Sequence, residues 1–522
     1  MSIHKHIMKT CWLLSALLLL ASASMAGGGG NVKVGYTFTD EDGEYVLSPE
    51  TYNVYEGIGL SLTDFRFQTK GGLNFSANLE DITLKNRNLR FTSYKSGLFK
   101  LNVNHNRYRR RFDTDGSVYT RRQSSGVSAT LTPIKQIKLF GGFSDIDKES
   151  RGLDLSSPVV YLPVPRADFT HRTFNAGAQG FCPYGSLRLE YRHSNFDDEL
   201  AAANNRKADV IDVNAYSTVP GYDWIGLSGG FQYRNDEMDS SQVVLKTYQG
   251  WGGTKVYLPK NMTLNYRLLY ARSKHEAMLR ETDNYIHTLS LSKNWLRRGG
   301  FRIGYEMRIA DDLLDRTESN GFLTGGWYAP MERLQARGEY RQRTREVKNG
   351  TTLVGDEDFS KYLVSLKYTC PKWGNLSARY TGRVKTNDDI NSSVDYQVIA
   401  SELNLLSKRY GRLNVAYSYY TGEYENRSDS VSYEFADHVL GVNVYPITFD
   451  KFTVVLGGTY YRSGRDRDLK KLHFRAGAQY EFVPGHLLEA RYRAFDYEDL
   501  LVAGYDYKAN IVDINVIKQL NL

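Results

Sequence analysis

The sequence predicts an all-β protein, a large antiparallel transmembrane β-barrel of about 26 strands with short periplasmic turns and longer external loops. Two observations predict this fold: an N-terminal export signal, and a turn pattern that recurs roughly every 36–40 residues through the 522-residue chain. A fixed period indicates one supersecondary unit repeated. Each turn is followed by an alternating apolar and polar run, a charged patch and a second alternating run. The repeated unit is therefore a β-hairpin.

Residues 1–26 have the layout of a cleavable secretory signal. Lys5 and Lys9 precede an apolar stretch from Cys11 to Leu20, and Ser24-Met25-Ala26 places small residues at the expected cleavage positions. An uncleaved membrane anchor is the alternative, but the apolar stretch is short for a spanning helix. We expect a signal peptide at 1–26 and a single barrel domain at 27–522, located in the outer membrane of a Gram-negative cell.

The turns define the number of hairpins. Seven contain proline: 132–137, 182–187, 258–261, 329–334, 370–374, 445–449 and 483–486. Short turns are expected near residues 70, 96, 133, 183, 220, 259, 297, 330, 371, 409, 446 and 484. Together with the two chain ends, these turns give about thirteen hairpins, or roughly 26 strands. The strand number is even, so both termini are expected on the periplasmic side. Longer connections, from 109–125 to 496–508, are dense in charged residues and asparagine. Residues 50–97 are poorly patterned.

Each strand has one apolar and one ionised face. After Pro183, Leu187 and Leu189 face one way while Arg188 and Glu190 face the other, because side chains alternate with period two. A soluble sandwich would show the same alternation. Strands of about 9–12 residues, alternating short and long connections, and apolar rows that end in Tyr or Phe favour a membrane barrel. The 39 tyrosines also suit aromatic belts at membrane interfaces.

The ionised faces are expected to line a wide bore. The candidate lumen residues for partner contacts are Arg188, Glu190, Arg192, Arg267, Arg333, Arg337, Glu339, Arg341, Arg379, Arg383, Glu489, Arg491 and Arg493. About 26 strands spaced ~4.8 Å apart and tilted ~40° give a backbone diameter of roughly 50 Å, which side chains cannot fill. Strand-like sequence starts at Asn31, which argues against a separate N-terminal plug like that of TonB-dependent transporters. Two interpretations stay open: a water-filled pore, or a lining that docks a protein.

Other classes of function lack their signatures. The net charge is +8, but the 67 Lys and Arg residues are spread through every repeat, so nucleic acid is not an expected partner. The chain has no Cys-x-x-Cys-His for c-type haem, no metal-ligand spacing and no G-x-S-x-G elbow, so we expect no directly bound cofactor, no metal and no enzyme activity. Cys182 and Cys370 should lie on the order of 45 Å apart, too far for a bridge. Their occurrence at the same position of two turns is either a coincidence or reflects a link to a periplasmic partner.

Several segments carry a family resemblance: 108–116, 119–122, 126–133, 137–144 and 168–178. Over most of the mature chain the sequence resembles the MtrB/PioB family of outer-membrane barrels associated with decahaem cytochromes. The resemblance implies an insulating sheath whose lumen houses a multihaem c-type cytochrome, which supplies the haem. This sequence departs from the family in two respects. It has no Cys-x-x-Cys, which some members carry near the mature N-terminus, and it ends with Leu522 where barrels usually have an aromatic residue.

The expected function is thus a porin-like sheath around a periplasm-facing multihaem cytochrome, forming a conduit for extracellular electron transfer. An extracellular cytochrome on the outer loops is a further expected partner, besides the lipid bilayer. A passive porin for ions or small solutes is the alternative from another class, with the charged lining acting as a filter. An export or adhesion scaffold is a third.

Overall fold

The chain forms one closed, 26-stranded antiparallel barrel, as the sequence predicts. The computed structural model describes residues 25–43, 46, 51, 53–114, 118–151, 168–238, 243–276, 280–295, 298–312, 315–348, 355–387, 389, 391–407, 411–426, 430–501 and 506–521. The predicted signal peptide lies outside these residues except for Met25 and Ala26, with which the first strand begins.

The strands follow one another around the ring in chain order. They are β1 Met25–Asp42, β2 Gly57–Thr69, β3 Leu73–Glu80, β4 Arg87–Lys95, β5 Phe99–Arg111, β6 Tyr119–Ile134, β7 Ile137–Arg151, β8 Phe169–Cys182, β9 Gly185–Asp198, β10 Arg206–Val219, β11 Tyr222–Met238, β12 Val243–Leu258, β13 Met262–His275, β14 Arg280–Trp295, β15 Gly299–Asp312, β16 Arg316–Met331, β17 Leu334–Lys348, β18 Glu357–Cys370, β19 Gly374–Asn387, β20 Ser392–Ser407, β21 Gly411–Asn426, β22 Val431–Phe449, β23 Phe452–Arg465, β24 Leu469–Val483, β25 His486–Asp499 and β26 Tyr507–Asn521. A 3-10 turn, Ala202–Asn204, lies between β9 and β10.

Ring closure joins the first strand to the last. β1 pairs with β26 without a register shift, from Gly29 opposite Asn521 to Asp42 opposite Lys508. Every strand therefore has a partner on both sides, and the sheet has no open edge. Across the described ranges, no helix has the length and apolar character needed to span a bilayer.

The two ends of the barrel differ in their connections. At one end, called the turn end, strands are joined by two or three residues, such as 183–184 between β8 and β9. At the other, the loop end, connections range from three residues at 313–315 to 17 at 152–168. This confirms the expected alternation of short and long connections.

In three of the predicted proline turns, the proline itself lies in a strand. β6 continues through Pro133, β16 through Pro330 and β22 through Pro446, and the chain turns two to four residues later. The pairing register shifts at each of these prolines. Proline has no N–H to donate to the ladder, so it is accommodated in a β-bulge. At Pro484-Gly485, by contrast, proline does lie in the turn, and Gly485 supplies a φ of 76°.

The expected strand length of about 9–12 residues was also wrong for most strands. Apart from β3 and β4, with eight and nine residues, the strands have 13–19 residues. The charged stretches interpreted as loops are largely strand. The connection expected at 195–209, for example, shrinks to 199–205, because β9 extends to Asp198 and β10 begins at Arg206. The barrel wall therefore rises above the apolar band at the loop end.

The apolar rows face outward. Leu187, Leu189 and Tyr191 have 55%, 50% and 40% of their surface exposed, whereas the intervening Glu190 has 8% exposed. On a closed, convex wall outward side chains diverge and inward side chains converge, so the crowded polar row is the lumen row. The same contrast holds in β25, between Leu488 at 44% and Glu489 at 1%.

A row of outward-facing tyrosines lies at one height on the wall. This tyrosine belt comprises Tyr191, Tyr305, Tyr340, Tyr417 and Tyr492, each six residues after the first residue of its strand. Four of the hydroxyls meet a polar side chain of the neighbouring strand nearer the loop end, as in the bond from Tyr492 to Asn510 at 2.7 Å. Six residues span ~15 Å of height at ~3.3 Å per residue and ~40° tilt. Such rings suit a membrane interface, where one end is apolar and the other hydrated.

The poorly patterned segment 50–97 contains the shortest strands. Leu62, Phe65, Phe67 and Ala77 are buried there in a compact apolar cluster of β2 and β3. β1 approaches β2 closely beside this cluster, since a Cβ on Gly30 would lie 2.8 Å from the Cα of Phe65. Side chains that pack on one another in this way do not show the plain alternation of a lipid-facing strand.

The assignment of apolar side chains to the outer face and polar side chains to the lumen predicts different effects for substitutions at two adjacent positions of β19. Ala378→Arg places a charge on the apolar face and should lower the free energy of unfolding from a bilayer by about 2–4 kcal/mol. Ser377→Arg places the same charge in the lumen and should change it by less than about 0.5 kcal/mol. Denaturant titration of protein folded into lipid vesicles measures both. Equal losses would contradict the assignment.

Candidate functional site

The lumen wall is a network of arginines held by buried carboxylates. In β9, Glu190 accepts hydrogen bonds from Arg188 at 2.6 Å, Arg192 at 3.4 Å and, across the strand pair, Asn175 at 3.2 Å. These three predicted residues therefore lie together. The carboxylate is buried, while the side chains of Arg188 and Arg192 remain 45% and 51% exposed to the bore. Glu190 thus positions two cations that face the lumen.

The same arrangement recurs in β25. Glu489 is almost fully buried and accepts hydrogen bonds from Arg491 and from Gln479 on β24, both at 2.6 Å, and from Asn515 on β26 at 3.0 Å. Arg493 donates to Asp513 at 2.9 Å. Because unpaired buried charges are costly, each carboxylate requires these partners, and the result is a rigid polar surface.

The remaining predicted lumen residues are distributed around the ring. Arg337 donates to Glu339 at 3.1 Å. Arg267 lies 5.4 Å from the centre of the Trp251 ring, and Arg383 lies 5.3 Å from that of Phe359. The others are exposed: Arg333, Arg341 and Arg379. Arg333 lies in the turn between β16 and β17 and not in the wall, because β17 begins only at Leu334. The structure places the other twelve residues in separate groups on one continuous wall, not in one pocket.

Sequence reasoning missed other members of this wall. Glu357 in β18 is 6% exposed by side chain and pairs with Arg343 at 2.9 Å, Lys385 at 3.1 Å and Arg345 at 3.3 Å. Asn404 accepts from Arg412 at 2.6 Å. The period-two alternation of these strands was the signal that could have found them. The cross-strand pairing depends on register, which a single sequence does not fix.

The connection between β1 and β2 folds into the lumen. It is called the inner loop here, residues 43–56, of which Gly43, Val46, Thr51 and 53–56 are described. Val46 is fully buried against the lumen side chains Phe495, Tyr507, Ala509 and Ile511 of β25 and β26, with Val54 packed beside them. The Val46 amide donates to the Phe112 carbonyl at 3.0 Å. The sequence analysis did not anticipate this loop.

A buried polar group anchors the inner loop. The Tyr507 hydroxyl donates to Glu41 at 2.6 Å and lies 2.9 Å from Thr51 Oγ1, and both Tyr507 and Thr51 are fully buried. Arg111 pairs with the same carboxylate at 2.5 Å. Strands β1, β5 and β26 are thereby tied to the loop through one glutamate.

The turn between β3 and β4, residues 81–86, completes the constriction. The Asp81 amide donates to Ser61 Oγ at 2.9 Å, and the Asn86 side chain donates to the Asn53 carbonyl of the inner loop. Between these segments and the lumen face of β23–β26 and β1 lies a cavity of about 650 Å³. Its wall includes Arg475, Glu489, Arg491 and Arg493.

Ionisable groups of the two segments are perturbed by their surroundings. Burial raises the pKa of Tyr55 to about 12, although Arg109 and Arg111 oppose the shift. The Tyr55 hydroxyl donates to the Arg109 carbonyl at 3.0 Å. Burial also raises the pKa of Asp81, with Lys33 opposing it. Both shifts follow from the packing of these segments, which partly removes the two groups from water.

Cys182 and Cys370 are both free thiols. Cys182, the last residue of β8, is exposed, whereas Cys370, the last residue of β18, is buried. Within the described ranges, no group of three or more His, Cys, Asp or Glu side chains is arranged to hold a metal ion.

Comparisons with known proteins reveal similarity in fold only. No family profile and no curated protein sequence matches the chain. Among solved structures, a mutant of the ferric enterobactin receptor PfeA from Pseudomonas aeruginosa in complex with enterobactin superposes with a TM-score of 0.52 at 9% identity, covering 81% of this chain and 82% of that one. The siderophore receptor PirA from the same organism gives a TM-score of 0.50 at 10% identity, covering 81% and 79%.

The hydrogen bond from Tyr507 to Glu41 predicts how loss of the Tyr507 hydroxyl affects docking of the inner loop. Tyr507→Phe removes a hydrogen bond to a carboxylate and should weaken loop docking by about 1.5–3 kcal/mol. Hydrogen exchange at the Val46 amide should accelerate more than about tenfold, since 1.4 kcal/mol is tenfold in an equilibrium constant. Tyr492→Phe, in the tyrosine belt, is the matched control and should leave that amide unchanged. An unaltered rate in Tyr507→Phe would refute the anchor.

Tyr55 predicts a dependence on pH. Because its pKa is raised on folding to about 12, its contribution to loop docking is complete below pH 10 and is lost as the pH rises from about 10 through about 12. The ultraviolet absorbance of ionised tyrosine, taken as the difference between wild type and Tyr55→Phe, should show this late transition. A midpoint at the ordinary tyrosine value would show that the side chain is not buried.

Proposed function

We propose that the protein is an outer-membrane barrel that encloses a periplasm-facing multihaem c-type cytochrome and thereby forms a conduit for extracellular electron transfer. In this proposal the turn end faces the periplasm and the loop end faces the exterior. The haems belong to the partner and carry the electrons, while the barrel positions and insulates them.

The observation that carries the proposal is a wide ring with a polar inner wall. Twenty-six strands closed by β1–β26 pairing give a backbone diameter of roughly 50 Å at ~4.8 Å spacing and ~40° tilt. Packed sheets lie ~10 Å apart, so a side-chain layer of ~5 Å on each wall leaves a bore of about 40 Å. A 100-residue domain has a radius of gyration of about 13 Å, which for a sphere is a diameter of ~34 Å, so a folded protein can occupy such a bore.

The chemistry of the wall supports a protein partner with an acidic surface. Arg188, Arg192 and Arg491 are fixed by buried glutamates, yet about half of each side chain is exposed. A guanidinium held in place loses little entropy on binding and presents paired donors to carboxylates. Acidic side chains and haem propionates are the groups it would recognise.

A second candidate function rests on the inner loop. Because this loop and residues 81–86 cover part of the bore, the barrel could act alone as a porin, with the cavity beside Arg475 and Arg491 as a narrowed path for solutes. The charged lining would then select ions by sign.

Purification from a native source distinguishes the two functions. The conduit predicts haem absorbance that co-migrates with the barrel. The double variant Arg188→Glu and Arg491→Glu should reduce the retained haem about a hundredfold or more, since it removes two charged hydrogen bonds that are each worth about 1.5–3 kcal/mol. Lys372→Glu, in a turn outside the bore, is the matched control and should retain it.

A colourless barrel that gives large, steady conductance in planar bilayers would contradict the conduit and support the porin. Heat-dependent migration on gels should confirm that every variant is folded, so that loss of haem is not mistaken for loss of the barrel.

A further inference from the structure

Arginines gather on the outward face of β4–β6, just above the apolar band. Val103, Val127 and Phe143 are cross-strand neighbours in one outward row, with 37%, 45% and 49% of their surfaces exposed. Two residues further toward the loop end, the row contains His105 and Ser125, whose side chains meet at 2.9 Å. The apolar surface therefore ends at Val103 and Val127.

Above that row, like charges are placed directly opposite each other. Arg87 on β4 pairs with Arg107 on β5. Arg109 on β5 pairs with Arg121 on β6. Directly opposed like charges destabilise a sheet unless something else offsets them. The carboxylates of β7 offset the Arg109–Arg121 pair, which leaves the Arg87–Arg107 pair as the candidate position for an anion.

The nearby carboxylates engage other members of the cluster. Glu149 and Asp147 of β7 lie 2.5 Å and 3.7 Å from Arg121, and Glu41 pairs with Arg111. Arg87 instead donates from Nε to His105 Nε2 at 3.2 Å. Within the described part of the chain, the Nε of Arg107 is buried and has no hydrogen-bond partner.

Lys85 adds a further positive charge beside this pair. It lies in the β3–β4 turn, 5.6 Å from the centre of the Tyr55 ring. Its pKa is lowered by burial and then by the positive charges of Arg109 and Arg107. The local potential is therefore positive enough to oppose protonation of a neighbouring lysine.

We propose that Arg87 and Arg107, with the positive charge of Lys85 close by, form an outward-facing site for the phosphate monoester of a lipid headgroup in the outer leaflet. The Arg87–Arg107 row lies ~10 Å above the Val103–Val127 row, at ~3.3 Å per residue and ~40° tilt. That is the level of headgroups, which add ~5–8 Å beyond the hydrocarbon and which long side chains can reach. Guanidinium groups bind phosphate through paired, charge-assisted hydrogen bonds.

The site requires only that the barrel crosses a bilayer, and does not depend on what the lumen holds. A free phosphate ion would satisfy the same donors. The position of the site, directly above lipid-facing valines, favours a phosphate presented by the membrane. The test therefore includes both sources.

The experiment compares outward and inward arginines of the same two strands. The outward double variant is Arg87→Gln with Arg107→Gln, and the matched control is Arg90→Gln with Arg110→Gln on the lumen face. Each protein is reconstituted in phosphatidylcholine vesicles with and without phosphatidic acid, then extracted in detergent, and the retained phosphatidic acid is quantified by mass spectrometry. Gel migration with and without heating verifies folding.

The outward double variant should retain phosphatidic acid about thirtyfold more weakly, because each basic residue near an anionic surface contributes about fivefold. The control should match wild type. Equal retention in all three proteins, or equal loss in the outward and lumen doubles, would overturn the site. Inorganic phosphate that binds wild type in detergent while phosphatidic acid is not retained would overturn the lipid assignment. If the double variant fails to fold, Arg107→Gln alone should retain about fivefold less lipid.

Discussion

The whole structure depends on satisfying every backbone hydrogen bond within the wall. In hydrocarbon no water can accept or donate, so a sheet can cross only when it has no free edge. The uninterrupted pairing of β1 with β26 meets this requirement. It also fixes the number of strands, hence the circumference, and the circumference produces a bore too wide for the side chains of the wall to fill.

That width determines the chemistry of the inner surface. A narrow barrel can pack apolar side chains across its axis, but here each lumen row must be stable while facing water or a partner. The wall meets this condition within single strand pairs. Buried Glu190 and Glu489 each gather an arginine of their own strand and an amide of a neighbouring strand. The exposed groups that result are fixed cations.

Much of the fold could be predicted from the sequence, because its signals are local. Turn spacing gave the strand number, and period-two alternation in segments such as 187–192 assigned the faces correctly. Errors arose where a local signal has two structural meanings. A proline interrupts the hydrogen-bond ladder whether it lies in a turn or in a β-bulge, so the prolines at 133 and 330 were ambiguous. Charged residues near position 195 are compatible with a loop and equally with a strand that extends above the membrane. The lumen groups could be predicted strand by strand, but partners such as Glu357 and Lys385 depend on register. The inner loop could not be predicted, because Val46 acquires its environment from Phe495, Tyr507 and Ile511, more than 440 positions away.

This long separation has a consequence for biogenesis. Glu41 lies 466 positions before Tyr507, so their contact forms only when the two ends of the sheet meet. Until β1 and β26 pair, Val46 lacks the apolar side chains of β25 and β26 that bury it. Burial of Val46 is thus tied to ring closure, and a chain that has yet to close exposes a sticky seam.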